Sequence, residues 1–359
     1  MLTAITKYVS SSRTHRTLAF AAAALLPFAG ALAQSSLPDE LVRRNDIGAD
    51  DRQAIKALVD AHKAGLSGGT IEIKKSRDVL LAPLEKDGIS VPFRVAYANA
   101  LIESGGIDKL AANKDNDLIA ANALRIAGQG ATGNSLKIVI DALKDARPQV
   151  RYAATVGARA AFTAARNNPA LSPDEVSRAM RALSEVATTD KSPEPVDGAL
   201  QALVAARDIQ GNRSLAVERL TEAAGATALA AIKSGNPIDL TPLLRVATPI
   251  QQDVIEVKKL TPAAQKGVAT FAAQLLLAVD AQWKDGDPDP SAVQAARTAS
   301  TILALAATNM AGQEVTIRVG ELVTAGKPDQ FRQALARLVG PGGLLQSPPI
   351  SIAPDKLKP

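Results

Sequence analysis

Between Asp145 and Phe162 the chain reads DARPQVRYAATVGARAAF, with Val150, Ala153, Ala154, Gly157 and Ala161 at three- and four-residue steps. On an α-helix that spacing gathers them into one stripe. A stripe of Ala and Gly is narrow and smooth, so a neighbouring helix can pack tightly against it. Pro148 suits the first helical turn, where its missing N–H costs nothing. The same economy of bulk holds throughout: 47% of the chain is hydrophobic but only 3% aromatic, so the core is built from Ala, Leu, Val and Ile. Ala has the best intrinsic helix propensity, and the chain contains no cysteine to cross-link it. Helix packing must therefore supply the stability.

Related phrases recur upstream. Leu118-Ile-Ala-Ala-Asn-Ala-Leu124 aligns with Val150-Arg-Tyr-Ala-Ala-Thr-Val156 at an offset of 32 residues, and Val95-Ala-Tyr-Ala-Asn-Ala-Leu101 aligns with the middle copy at 23. Recurrence at such periods marks stacked helical units. The stretch from Asp145, with its Asp in the turn, its Pro opening the helix and Val150-Arg151 after it, resembles the second helix of a HEAT repeat. The resemblance covers residues 90 to 210, with one good copy and several looser ones. It implies an all-α, α-solenoid fold of stacked antiparallel helix pairs forming a right-handed superhelix, and an Arg151 that bonds the turn of a neighbouring repeat.

The N-terminus reads as an export signal. Lys7, Arg13 and Arg16 precede an apolar, Ala-rich run from Leu18 to Gly30, and Ala31-Leu32-Ala33 has the small-residue pattern read by signal peptidase. Cleavage is expected after Ala33, which places the protein in the periplasm or outside the cell. The apolar run is shorter than the roughly 20 residues a membrane span needs and contains Pro27, so no membrane span is expected after cleavage. The leader holds three of the 41 Lys and Arg and none of the 36 Asp and Glu, which leaves 38 bases against 36 acids, a net charge of +2. With so little excess charge and few aromatics, nucleic acid is not an expected partner. The compact basic cluster Lys74, Lys75 and Arg77 reads as a solvated face.

Capping chemistry marks most helices. Asp50 or Asp51 can cap a helix carrying Ile55, Leu58 and Val59 that ends at Gly65, and 70–84 reads as helical. Ser90 and Pro92 open a helix stopped by Gly105-Gly106. Others are expected at 114–127, 134–145 and 148–166. Ser172-Pro173, with Glu175 placed to close a capping box, is repeated in kind by Ser192-Pro193 and Thr261-Pro262. Further helices are expected at 213–233, 240–258, 262–283, 291–309, 313–325 and 328–338. Pro237, Pro242 and Pro249 suggest an irregular connection at 236–250. The resulting divisions are a signal peptide (1–33), an N-terminal helical region (34–89), HEAT-like repeats (90–235), a C-terminal helical region (236–339) and a loosely ordered Pro/Gly-rich tail (340–359).

Candidate chemistry is sparse. Gly128, Gly130 and Gly133 satisfy a dinucleotide fingerprint as a string, but the mechanism needs a strand before them, and 117–127 reads as a helix. Asp285, Asp287 and Asp289 alternate like calcium ligands, yet Pro290 and Ala296 stand where Gly and a bidentate acid are required. A polar loop with Asp289 capping the next helix fits better. Glu103-Ser104-Gly105 resembles the catalytic motif of lytic transglycosylases, and Gly130-Ala131-Thr132-Gly133 resembles part of a later segment of that family. Asn134-Ser135 then departs from the pattern, and Tyr97, Tyr152 and Trp283 are the sole Tyr and Trp residues after the leader. His62, the one histidine after the leader, reads as a solvated helix residue, and with no cysteine there is no Cys-His pair or zinc set. No catalytic, cofactor-binding or metal-ligating residue is expected. The reading is a non-enzymatic, exported scaffold of the bacterial envelope that holds a protein partner. Its alternatives are a peptidoglycan-binding or glycan-cleaving protein using Glu103, and a self-assembling structural element.

Overall fold

The computed structural model describes residues 36–167, 170–256, 260–283 and 286–358. The expected leader and its cleavage site lie outside them. Among the described residues there are sixteen α-helices and no strand: α1 Asp39–Arg43, α2 Ala49–Lys63, α3 Thr70–Leu81, α4 Val91–Glu103, α5 Ile107–Ala111, α6 Asp117–Gly130, α7 Gly133–Ala142 and α8 Pro148–Asn167, followed by α9 Pro173–Thr189, α10 Pro193–Ala206, α11 Arg213–Ser234, α12 Thr241–Ile255, α13 Pro262–Gln282, α14 Pro290–Ala311, α15 Val319–Thr324 and α16 Pro328–Val339. None of these is long and apolar enough to cross a membrane.

The helices pack in sequence order as two rows. In one row α6 lies against α8, α8 against α10, α10 against α12 and α12 against α14; in the other α7 lies against α9, α9 against α11 and α11 against α13. Each helix from α6 to α14 also touches its immediate successor. The fold is all-α and solenoid-like, and one hydrophobic cluster runs from Leu37 to Leu357.

Small residues set the spacing of the first row. Val150, Ala154, Gly157 and Ala161 of α8 are buried, while Ala153 is half-buried. A Cβ added to Gly128 of α6 would stand 2.2 Å from the Gly157 carbonyl oxygen, and one added to Gly157 would stand 2.8 Å from the Leu124 oxygen. The two helices therefore cross main chain against main chain. At the next crossing, a Cβ on Gly198 of α10 would reach within 2.1 Å of Thr155 Oγ1. These contacts also correct the repeat register. The phrase alignment pairs Leu118 with Val150, yet Leu118 is 42% exposed and Val150 fully buried. Burial instead matches Ile119, Ala123, Leu124, Ile126, Ala127 and Gly130 with Val150, Ala154, Thr155, Gly157, Ala158 and Ala161, an offset of 31.

Arginines tie successive helices of that row together. Arg151 donates from Nε and Nη2 to both oxygens of Asp190, at 2.5 and 2.8 Å, and from Nη1 to the carbonyls of Asp145 and Ala146. Asp190 stands in the turn before α10, the contact expected of Arg151. Arg147 reaches the other way, to Asp117 and to the carbonyls of Asn113 and Lys114 before α6, while also gripping Asp145. Between α10 and α12, buried Arg207 pairs with buried Asp253 at 2.5 Å. Hydrogen bonds from Arg147 hold the Asp145 carboxyl well below the usual carboxylate range, and those from Arg151 lower Asp190. Arg94 of α4 is buried without a carboxylate and donates to the Gln129 carbonyl at the end of α6; burial alone lowers its pKa to about 10.

Most expected caps form. Ser90, Ser172 and Thr261 each accept the N–H three residues on, and Glu175 closes its box on Ser172. Ser192 occupies the N-cap of α10 without a side-chain bond. At α2 the N-cap is Gly48, whose N–H donates to Asp51. The structure adds to these expectations and revises others. Ile107–Ala111 forms a short helix, α5. The helix expected at 240–258 forms as α12 with Pro242 in its first turn and Pro249 inside it, so the irregular connection expected at 236–250 is confined to the residues before Thr241. The helix expected at 313–325 begins at Val319, because Gly312 turns left-handed (φ 66°) and the β-branched Val315-Thr316-Ile317 stays outside any helix. The tail is not loose: Leu345, Ile350, Ile352 and Leu357 are buried, so residues 340–358 fold back onto the helices.

Two outcomes follow. Gly128→Ala would gain about 1 kcal/mol of helix propensity but force a methyl onto the Gly157 backbone, for a net loss of about 1 to 3 kcal/mol. Ala154→Leu should cost a similar amount and more than Ala153→Leu; equal denaturant midpoints for the two Ala variants would place the buried face elsewhere. For pH, Asp145 and Asp190 have folded pKa values below their unfolded value near 3.9, so their contribution is complete above that value and lost as pH falls through the window beneath it. Urea midpoints should be flat from about pH 7 to 5 and drop below about pH 4, with a shallower drop in Asp190→Asn.

Candidate functional site

Helices α9, α11 and α13 present one face each to a shared groove. Three- and four-residue steps put Arg181, Ser184, Glu185 and Thr188 of α9, Glu218, Glu222 and Leu229 of α11, and Lys266, Thr270 and Gln274 of α13 along it. Ile352, Ala353, Asp355 and Lys356 from the folded-back tail complete the lining, which encloses about 850 Å³.

Close packing beneath the groove explains where its polar groups sit. Gln274 is buried and lies across Gly225 of α11, where an added Cβ would stand 1.8 Å from its Oε1. Its Nε2 donates to the Lys356 carbonyl at 2.7 Å. Gly267 of α13 is similarly matched to Thr221, whose Oγ1 would be 2.7 Å from an added Cβ. Gly inside a helix costs about 1 kcal/mol relative to Ala, so both glycines mark positions where packing decides. Thr188, Thr221 and Thr270 donate their hydroxyl protons to carbonyls of their own helices, which leaves their oxygens as acceptors. Ser184 differs: its Oγ is buried and has no hydrogen-bond partner. Buried hydroxyls are rarely left so.

Charge in the groove is balanced. Arg181, Arg219, Lys266 and Lys356 face Glu185, Glu218, Glu222 and Asp355, and Arg219 bonds Glu222 at 3.0 Å. A phosphate backbone selects a surplus of cations; a mosaic of both signs with Leu229, Ala226 and Ile352 between them suits a polypeptide, which offers both signs, amides and aliphatic groups.

The sequence-derived candidates are not brought together. Gly128 and Gly130 end helix α6, with Gly128 against Gly157, and Gly133 opens α7 beneath the Glu175 carboxylate. These are packing glycines preceded by a helix. Asp285 lies outside the described residues; Asp287 is exposed, and Asp289 caps α14 by accepting from Ser291 N–H. Among the described residues no three His, Cys, Asp or Glu side chains are grouped to hold a metal. Glu103 is exposed at the end of α4, beside a groove of about 600 Å³ shared with Arg52 and Asn99. Two of the rings that could stack on a glycan are in the core: Tyr97 bonds the Leu80 carbonyl, and Trp283 packs on Phe331 at 5.9 Å. Tyr152 is 44% exposed. His62 is not the solvated residue expected, since its Nε2 is buried without a partner. Lys74 and Lys75 are exposed, while Arg77 is engaged by Asp78 and Asn122.

The groove was missed because Ala-rich helices with scattered Ser and Thr look solvated along the chain. Mid-helix Gly225 and Gly267, opposite Gln274 and Thr221, are the signal that could have found it. Comparison with known proteins finds no family model that matches the chain and no curated protein of similar sequence.

Gly225→Ala tests how the groove is built. The added methyl would push aside the end of Gln274 and break its bond to Lys356, a loss of about 0.5 to 1.5 kcal/mol set against about 1 kcal/mol of helix propensity gained. Global stability should barely change while amide exchange at 352–358 accelerates; unchanged exchange there would mean that Gln274 does not hold the tail.

Proposed function

We propose that this protein is an exported, non-enzymatic scaffold of the bacterial envelope, built on HEAT-like helical repeats, that binds another protein in the groove over α9, α11 and α13. The observation that supports the reading most is the composition of that groove: about 850 Å³ lined by three cations, three anions, hydroxyl acceptors and aliphatic side chains from three successive helices of one row, with Lys356 and Asp355 added by the tail. A stacked array presents such a face without any one helix supplying a complete site, which is how solenoids hold extended partners. The leader Lys7 to Ala33 supports export.

Affinity capture from envelope extract with the chain from residue 34 onward tests this. Wild type should retain one reproducible, stoichiometric partner, and Ala226→Arg, which places a long cation in the groove, should lose it at least tenfold. Capture unaffected by Ala226→Arg would move the partner to another face. Recovery of the chain with purified peptidoglycan, abolished by Glu103→Gln, would replace the scaffold reading with the glycan one.

A further inference from the structure

The tail that walls the groove is held there lightly. After α16, Gly340-Pro341-Gly342-Gly343 turns the chain, with Gly342 at φ 71°. Leu345 N–H then donates to the Leu338 carbonyl of α16 and Ile352 N–H to the Leu345 carbonyl, so the first half is tied back to the last helix. Beyond Ile352 the situation changes. Among the described residues, 353–358 make one hydrogen bond to the helical body, from Gln274 Nε2 to the Lys356 carbonyl. Ile352 and Leu357 are the buried aliphatic anchors of this last stretch.

We propose that the seat of residues 352–358, along one wall of the groove, is a binding site for a short proline-containing polypeptide segment, and that these residues are its own displaceable occupant, a strap that a partner segment must replace. This rests on the reading of the groove as a protein-binding site. The strap shows what the site accepts: a proline-containing segment that closes in a single 3₁₀ turn at Pro354–Leu357, with aliphatic residues five positions apart and a main-chain carbonyl just before the second. Gln274 donates to that main-chain carbonyl, a group every sequence carries, so the same amide serves any segment of that shape. Being tethered, the strap acts at an effective concentration in the millimolar range, so weak or scarce segments are kept out.

The test uses a fluorescent peptide spanning residues 347–359 and the full chain. Anisotropy should show at least tenfold tighter binding to Leu357→Asp, whose strap cannot stay seated, than to wild type. Adding Gln274→Leu to that variant should weaken binding about three- to tenfold, the worth of one hydrogen bond. Equal affinity for wild type and Leu357→Asp, or binding to neither, overturns the proposal. Hydrogen exchange on wild type gives a second reading that needs no variant. Amides of 352–358 should exchange at least tenfold faster than those of Val268 to Val279, and exchange in step with them would make the strap an inseparable part of the fold. Light scattering that shows straps traded between two copies would overturn closure within one chain. None of these readouts needs a foreign partner, so an empty envelope capture counts against the scaffold function and leaves the strap standing.

Discussion

The structure depends on how closely α6 and α8 approach. Gly128 and Gly157 let the two backbones meet with no side chain between them, and that geometry substitutes for the aromatic bulk and disulfides the chain lacks. Dispersion between densely packed small groups is weak per contact and large in sum, but it depends on spacing. A core of this kind cannot absorb added volume as a core of long, flexible side chains does. The fully buried alanines of α8, α10 and α14 carry the same constraint along the row.

Smooth interfaces have a weakness: they define distance better than register. Ala-on-Ala surfaces can slide. The arginine ties answer that weakness, because each joins a helix end to a specific carboxylate or carbonyl of the next unit. Arg147 reaches back to Asp117 and Arg151 forward to Asp190, both through Asp145, whose side chain holds Arg147 and whose carbonyl accepts from Arg151. A two-pronged guanidinium–carboxylate contact fixes angle as well as distance. Between α10 and α12, buried Arg207 fixes the approach through two different groups, the Asp253 carboxylate from Nε and the Pro249 carbonyl from Nη2. A buried ion pair contributes little net stability once desolvation is counted; its value here is in specifying which helix faces which.

This division explains what could be read from the sequence. Caps and stops are local, so Ser90, Ser172, Thr261 and Asp289 could be recognised from a few neighbouring residues, as could Arg151 once Asp145 and Pro148 framed it. Register is not local. The matching strings at 118–124 and 150–156 are one residue out of phase with burial, because Ala recurs so often that a false alignment scores as well as the true one. Pro249 reads two ways in the sequence, inside the helix expected at 240–258 and as part of an irregular connection, because proline inside a helix is costly in isolation; packing of α12 against α10 and α14 accommodates it in the helix. The tail reads as loosely ordered because its prolines and glycines break regular helices, but four aliphatic side chains seat it, helped by one 3₁₀ turn at Pro354–Leu357. The groove was invisible because its walls come from residues over 170 positions apart.

The tail also has a structural reason to be where it is. Helix α13 is apolar nearly all round, with Val268, Phe271, Ala272, Leu275, Leu276 and Val279 buried, and a helix of that kind needs cover on every side. Helices α11 and α14 supply two sides, α16 and the strap part of the rest. Terminal elements of stacked arrays need such caps. The strap is a weak one. Two buried aliphatic side chains and the Gln274 bond seat it, and the entropy of ordering its backbone opposes them. A cap with so few contacts yields to a segment that makes one or two more, and what makes it a poor cap makes it a usable gate.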